Sequence, residues 1–257
     1  VQARTLEERV PKLAGRVGWL DAPPETPWRG VLLANEVIDA LAVERFRVTP
    51  KGVDQLGVRF DEGRPDWDAW PAGNALATRV AALQTRLPAP LPEGYESELC
   101  LALPAWLEAV TASLSQGVAL FIDYGYPRSV YYHPERREGT LVCHYRHRAH
   151  FDPFTWPGLQ DLTAFVDFTA LAEAADATGL AVTGYAPQNL FLFGCGLETS
   201  AAALPDLPPR ERQALAHELR ELTLPGAMGE KFQVMALTRA FDRPLRGFAH
   251  GDWLDRL

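Results

Sequence analysis

The chain has 257 residues, 47% hydrophobic and 23% charged, which is the balance of an ordinary folded protein and excludes disordered, collagen-like and coiled-coil chains. Its 33 acidic and 25 basic residues give a net charge of −8, which argues against a protein that tracks nucleic-acid phosphates. The longest apolar runs fall far short of the roughly 18 residues that a membrane-spanning helix needs. We therefore expect neither a nucleic-acid partner nor a membrane partner.

The three cysteines, Cys100, Cys143 and Cys195, are odd in number and widely separated, and no two of them form a C-x-x-C pair. This spacing argues against a disulfide framework and against a structural zinc site. Free thiols are typical of a reducing compartment, so the sequence predicts a cytoplasmic protein.

The first part of the chain alternates between predicted helices and strands. Apolar residues at helical spacing predict a helix over 3–13, and a short strand is expected to follow over 16–20. The unbroken apolar run over 30–34 is typical of a parallel strand covered on both faces. Residues 35–41 resemble the start of a short helix, and 43–60 alternate around a Pro-Lys-Gly turn, which predicts an antiparallel hairpin.

Two long segments interrupt the alternation, one at about 43–100 and one at about 126–165. The second is rich in His, Arg, Tyr and Pro without a clean period, so we expect a long functional loop or lid. The other predicted elements are a helical stripe over 103–114 that Gly117 ends, a strand over 118–122, a helix over 168–178, a strand over 181–185, a helix over 215–222 and a strand over 232–237.

Repeated alternation of helices with short apolar strands predicts one α/β domain over 1–257, built on a mainly parallel sheet. Ligands of such sheets bind beyond the carboxyl ends of the strands. Three strand ends therefore become candidate sites: Leu20-Asp21, Asn35-Glu36 with Asp39 close behind, and Asp123-Tyr124-Gly125.

The acidic residues at these ends have a competing structural explanation. Glu36 and Asp39 stand three apart, on one side of a helical turn, but Asn35 is a favoured N-cap and acids suit a first helical turn. Both interpretations stay open for them. No helix follows Asp123, because Tyr124, Gly125 and a proline come next, so a site role is favoured there.

Four histidines lie in the second long segment, and three of them, His144, His147 and His150, form an H-x2-H-x2-H pattern. This spacing aligns metal ligands only on a helix, whereas the flanking residues indicate extended chain and a turn, so we expect no metal. Polar contacts within a lid are the favoured interpretation. The chain also lacks a G-x-S-x-G elbow and a P-loop, the signals of hydrolases and nucleotide triphosphatases.

A series of motifs in fixed order resembles the MidA-like family of class I S-adenosylmethionine-dependent methyltransferases. These motifs are Val31-Leu-Leu-Ala-Asn-Glu-Val-Ile-Asp-Ala-Leu41, Phe121-Ile-Asp-Tyr-Gly125, Gly139-Thr-Leu141, His144-Tyr-Arg-His-Arg-Ala-His150, Asp152-Pro153, Pro157-Gly158, Gln160-Asp-Leu-Thr163, Val166-Asp-Phe168 and Gly229-Glu-Lys-Phe232. Two positions depart from the family pattern: Ala42 replaces a usual proline, and Phe165 replaces a common histidine, which removes a polar group from the lid.

The resemblance implies a Rossmann-like α/β sheet with S-adenosylmethionine as cofactor. It also implies two further strands, one with a Gly-rich loop and one ending in a ribose-binding acid, that would precede residue 1. We therefore expect the chain to be N-terminally truncated, inactive by itself, and to expose the apolar edge of the strand ending at Ala34. Mitochondrial members of the family are protein arginine methyltransferases that assist assembly of respiratory complex I.

The expected function is methyl transfer, with protein arginine as the favoured acceptor. A guanidinium stays cationic and needs carboxylates to bind it, a role that suits Glu36 and Asp39 as catalytic residues. The expected cofactor-binding residues are Leu20, Asp21, Asn35 and Glu36, and the expected acceptor-binding residues are Asp123, Tyr124, Gly125, His147 and Asp161.

Two alternatives remain open. The chain can belong to a non-catalytic assembly factor that keeps the fold, or to a methyltransferase for small amines, because an acidic pocket suits any cationic amine. A protein substrate is expected under the favoured function, and a homo-oligomer is compatible with the sequence.

Overall fold

The computed structural model describes residues 1–146, 148–202 and 204–257. Its α-helices are α1 (Gln2–Arg9), α2 (Pro11–Ala14), α3 (Asn74–Gln84), α4 (Leu103–Thr111), α5 (Arg128–Tyr131), α6 (Phe168–Ala177), α7 (Gln188–Gly194), α8 (Leu197–Ala201) and α9 (Pro209–Thr223). Its strands are β1 (Trp28–Asn35), β2 (Glu44–Thr49), β3 (Gly52–Asp61), β4 (Arg64–Pro71), β5 (Glu96–Leu99), β6 (Leu114–Tyr126), β7 (Val142–Tyr145), β8 (Arg148–His150), β9 (Asp161–Thr163), β10 (Val166–Asp167), β11 (Ala181–Pro187) and β12 (Phe232–Arg239). None of the described helices combines the length and the hydropathy needed to cross a membrane.

The main sheet of the described residues has the strand order β1-β6-β12-β11, and β10 pairs with the end of β6. Strands β1, β6, β10 and β11 run in one direction, and β12 runs the opposite way between β6 and β11. Helices α4 and α6 pack on one face, where Leu107, Phe121, Phe168 and Leu237 are fully buried. The predicted α/β fold is confirmed, with one antiparallel strand inside a mainly parallel sheet.

Strand β1 forms an edge of this sheet in the described residues. It pairs in parallel with β6 from Arg29 to Asn35, but Val31 is 64% and Leu33 65% exposed. The expectation of an exposed apolar edge is confirmed, whereas cover on both faces of this strand is not observed. An apolar edge is a surface that proteins normally pair or cover.

Residues 44–99 build a second sheet, with the order β4-β3-β2-β5. Its predicted hairpin is confirmed, because β2 and β3 pair up to Thr49 and Gly52. Helix α3 packs on this sheet, and Phe46, Val80 and Tyr95 are buried completely between them.

The second long segment contains a smaller sheet, here called the lid sheet, with the order β8-β7-β9. Strand β7 pairs antiparallel with both neighbours. After β9, the backbone N–H of Ala164 donates to the carbonyl oxygen of Asp39 at 3.1 Å. A backbone hydrogen bond therefore connects the end of the lid sheet directly to the loop that follows β1.

Three predicted elements differ in the structure. The strand over 16–20 is wrong, because no described strand pairs with this segment. The helix over 35–41 is wrong as well: a single turn closes with Leu41 donating to Ile38, and β2 begins three residues later. The helix predicted to reach residue 114 ends at Thr111, because Leu114 already pairs with Trp28 as the first residue of β6.

Candidate functional site

The carboxyl ends of β1 and β6 meet at one edge of the main sheet, where Asn35 lies opposite Ile122. The loop over 36–39, here called the acid loop, follows β1 directly, and Asp123 is the next residue of β6. This geometry brings the predicted acids together. Glu36 enters the loop with a φ of 51°, and its side chain stays exposed beside Asn35, whose amide donates to it at 3.2 Å.

Asp123 holds the acid loop in place. The residue is 1% exposed, and its Oδ2 accepts the backbone N–H groups of Val37, Ile38 and Asp39 at 3.3, 2.9 and 3.2 Å. Its Oδ1 accepts the N–H of Tyr124 at 3.0 Å. These backbone donors occupy both oxygens, so Asp123 acts on the site by positioning the loop, and its predicted contact with an acceptor stays a prediction.

The environment of the site raises the pKa of two of its acids and of a neighbouring tyrosine. Burial, joined by the charge of Asp39, raises the pKa of Asp123 from 3.8 to about 7, although the backbone N–H donors oppose the rise. Burial and the charge of Glu36 also raise the pKa of Asp39. Burial and the three neighbouring acids raise the pKa of Tyr124 to about 12, so its hydroxyl keeps its proton at neutral pH. Clustered perturbed groups in a cleft are characteristic of functional sites.

The raised pKa of Asp123 predicts a pH-dependent stability. A carboxyl group whose folded-state pKa exceeds its unfolded value stabilises the fold at low pH, and this contribution disappears as the pH rises through about 7. Between pH 5 and pH 8, the parent protein should lose about 2.5 kcal/mol more unfolding free energy than the neutral variant Asp123→Asn. Urea unfolding at both pH values measures this difference. Equal losses in the two proteins would show that Asp123 does not titrate in this range.

The acid loop and the lid sheet enclose an open cleft of about 740 Å³. Most of the side chains that line it are polar or charged, and Ala40 and Leu162 are the apolar ones. The lining residues are Glu36, Asp39, Ala40, Tyr124, His144, Arg146, Gln160, Asp161, Leu162 and Thr163. Carboxylates dominate the loop side, whereas the lid side carries the guanidinium of Arg146 as well as the carboxylate of Asp161. Such a mixture suits a ligand with a positive charge and hydrogen-bonding groups.

Two buried acceptor atoms at the cleft lack partners among the described residues. They are Oδ1 of Asp39, whose residue is almost fully buried, and Oε1 of Gln160, whose amide nitrogen donates to Pro153 at 2.6 Å. Buried acceptors without a partner are uncommon in folded proteins, because leaving them unpaired costs about 1–3 kcal/mol each. A bound molecule with a donor that reaches either atom would supply the missing hydrogen bond.

Several predicted site residues converge on the cleft. Glu36, Asp39, Tyr124 and Asp161 line it, and Asn35 contacts Glu36 at its margin. The prediction missed five lid residues that also line it, namely His144, Arg146, Gln160, Leu162 and Thr163. The histidine pattern signalled the first of these, but only the pairing of β7 with β9 shows which of its members face the acids.

The other predicted site residues lie elsewhere. Leu20 and Asp21 are exposed in an unpaired segment and are not among the residues that line the cleft, so their cofactor contact stays a prediction. Gly125 is buried where β10 pairs with β6, and a Cβ there would collide with Val166 and Phe168. Close packing therefore accounts for this glycine. His147 lies outside the described residues.

A metal centre is not part of the geometry that the structure describes. Within residues 1–146, 148–202 and 204–257, no cluster of three or more His, Cys, Asp or Glu side chains could hold an ion. His144 lies opposite Asp161 in the lid sheet, whereas His150 packs edge-on against Trp156.

The sheet, the acid loop at its carboxyl edge and the lid define an α/β protein with an acidic cleft at the place where such folds bind their ligands. A family model described as "Putative S-adenosyl-L-methionine-dependent methyltransferase" matches residues 1–186. The chain belongs to this family. The resemblance found in the sequence motifs is thereby confirmed.

Solved structures agree with this assignment. A COG1565 superfamily member from Burkholderia thailandensis, crystallised with S-adenosyl-homocysteine, is 40% identical, with a TM-score of 0.88 over 100% of this chain and 65% of that chain. A native crystal structure of a COG1565 protein from the same organism is 39% identical, with the same TM-score over 100% of this chain and 67% of that chain.

Curated relatives carry a specific activity in their names. The mitochondrial protein arginine methyltransferase NDUFAF7 is 30% identical in Rattus norvegicus, over 80% of this chain and 45% of that protein. The Homo sapiens protein of the same name is 29% identical, over 80% of this chain and 44% of that protein. The chain thus spans about half the length of the curated relatives that it matches. These relatives are named mitochondrial, and a cytoplasmic location of this chain stays a prediction.

Proposed function

We propose that the protein transfers methyl groups from S-adenosylmethionine to arginine side chains of a protein substrate, and that this chain supplies the acceptor side of its active site. The observation that carries the proposal is the convergence of Glu36 and Asp39 on one cleft, with Oδ1 of Asp39 buried and without a partner among the described residues. The names of the curated relatives favour arginine as the acceptor.

The acid loop fits the charge of both reactants. When bound, S-adenosylmethionine supplies an electrophilic methyl group on a cationic sulfonium, and the arginine guanidinium is cationic as well. Glu36 and Asp39 offer carboxylate oxygens to these cations, and Asn35 adds an amide at the end of β1. The residues present therefore fit a sulfonium cofactor, with Asn35 and Glu36 on its side of the cleft.

The chain's own residues contribute mainly binding and alignment, because methyl transfer is an in-line displacement that needs little acid-base machinery. Carboxylates around a guanidinium localise its positive charge on the nitrogens that they contact, which leaves the remaining nitrogen more nucleophilic. Once that nitrogen carries the methyl group, it must lose a proton. The raised pKa of Asp39 makes its carboxylate a better proton acceptor than an exposed aspartate.

The experiment that tests the proposal combines binding and turnover. Calorimetric titration of the full-length protein with S-adenosylmethionine should show saturable binding. Incubation with tritiated cofactor and a pool of nine-residue peptides, each with a central arginine and with flanks randomised among residues other than arginine and lysine, should label the peptides. Pools with lysine or citrulline at the centre are the controls. Absence of binding at millimolar cofactor, or equal labelling of the lysine pool, would overturn the proposal.

A further inference from the structure

Strand β9 is an edge strand that faces the acidic cleft. In the described part of the chain, the lid sheet ends at β9, and no other strand pairs with its outer edge. Its residues Asp161, Leu162 and Thr163 line the same cleft as Glu36 and Asp39. An unpaired strand edge presents a template for pairing with another extended chain.

The register shows which backbone groups of β9 are free. In a hairpin with a two-residue connection, the two residues that flank the connection form a hydrogen-bonded pair. Tyr145 and Arg148 are that pair here. Hydrogen-bonded pairs alternate along an antiparallel ladder, so Cys143 also bonds towards β8. The neighbouring residues of β7 must then bond towards β9. Leu162 lies opposite Cys143, and its N–H and C=O therefore point away from β7, towards the open edge.

We infer that β9 binds an extended segment of the protein substrate as an added strand, an inference that rests on the proposed methyl transfer to protein arginine. The free N–H and C=O of Leu162 pair with the substrate backbone, and the 49% exposed side chain of Leu162 contacts an apolar neighbour of the arginine. Strand addition of this kind takes affinity from main-chain hydrogen bonds and specificity from alternate side chains.

The charge of the cleft is complementary to such a segment. Glu36 and Asp39 lie on the loop side, and Asp161 extends the acidic surface along β9. The bond from Ala164 to the carbonyl of Asp39 fixes the end of β9 beside the acid loop. A substrate strand on β9 consequently presents an arginine to the carboxylates, and basic residues on either side of it meet Asp161.

An independent observation supports a polar ligand at this edge. Oε1 of Gln160, the residue before β9, is buried without a partner among the described residues and lines the cleft. An N–H group of a paired backbone, or of the arginine itself, satisfies this acceptor. A small free amine has no extended backbone and could not pair with the open edge of β9.

The variant Leu162→Pro tests the inference, because proline removes an N–H that the strand ladder does not use, and edge strands tolerate proline at such positions. The matched control, Leu162→Ala, removes the side chain and keeps the N–H. With the arginine-centred peptide pool and the full-length protein, the proline variant should raise KM about 10-fold relative to the alanine variant. Cofactor affinity and thermal unfolding should match those of the alanine variant.

A change in the peptide rather than in the protein provides the second arm. A pool N-methylated at the backbone positions flanking arginine cannot pair as a strand, and the parent protein should methylate it with a KM about 10-fold higher. Equal KM values for both pools, or for both Leu162 variants, would overturn strand addition while leaving arginine methylation intact. If the parent protein labels neither pool and binds no cofactor, the proposed function itself fails.

Discussion

Replacing Glu36 by glutamine is expected to lower kcat for arginine methylation by about 100-fold or more while the protein remains folded. The change keeps the shape of the side chain and removes its charge, which under the proposed function binds and polarises the guanidinium. Loss of one preorganised electrostatic contact in an active site costs about 100- to 1,000-fold in rate, or on the order of 3–4 kcal/mol. Single-turnover labelling of arginine peptides measures the rate.

The chain offers a closely matched control in Glu62. Both residues are exposed glutamates in the left-handed backbone region, with a φ of 47° at Glu62 and 51° at Glu36. Glu62, however, lies in the β3–β4 turn outside the cleft. Glu62→Gln should leave both kcat and stability unchanged. An active Glu36→Gln variant would show that its charge plays no part in transfer. A parent protein that lacks turnover yet retains a protein partner would favour the non-catalytic assembly factor.

The sequence predicted the main sheet well, because its signals are local. The apolar runs of β1 and β6 and the helical stripe of α6 lie within single elements, and each forms near its predicted place. The strand over 16–20 failed for the opposite reason. A strand exists only through pairing, and the pattern of this segment could not show whether a partner is there.

The candidate site was predictable to the same extent. The general rule that ligands bind at the carboxyl ends of parallel strands placed Glu36, Asp39 and Asp123 together. The sequence could not show that Asp123 holds the acid loop, because its three N–H partners there lie 84 to 86 residues away in the chain. Which residues of the lid sheet face the cleft depends on the register of its strands, and no local sequence pattern specifies that register.

The largest stability effect is expected at Arg128, which links the end of β6 to helix α6. Its side chain is 11% exposed, and its guanidinium donates to both carboxylate oxygens of Glu173, at 2.6 and 2.7 Å. It also contacts Asp167 at 3.4 Å, and that buried carboxylate caps α6 by accepting the N–H of Ala170. Removing the arginine would leave the charge of Asp167 buried without its cationic partner.

Arg128→Met should therefore lower the unfolding free energy by about 3–5 kcal/mol, the usual cost of breaking one side of a buried ion pair. Arg86 provides the matched control, because it contacts the same carboxylate of Glu173 at 2.6 Å but is 54% exposed. Solvent screens such a pair, so Arg86→Met should cost no more than about 1 kcal/mol. Urea unfolding of both variants measures the contrast, and equal losses would mean that burial of Asp167 does not set the energy of this network. Because α6 packs on the core beneath β6, whose end carries Asp123, the Arg128 variant should also weaken the acid loop and with it methyl transfer.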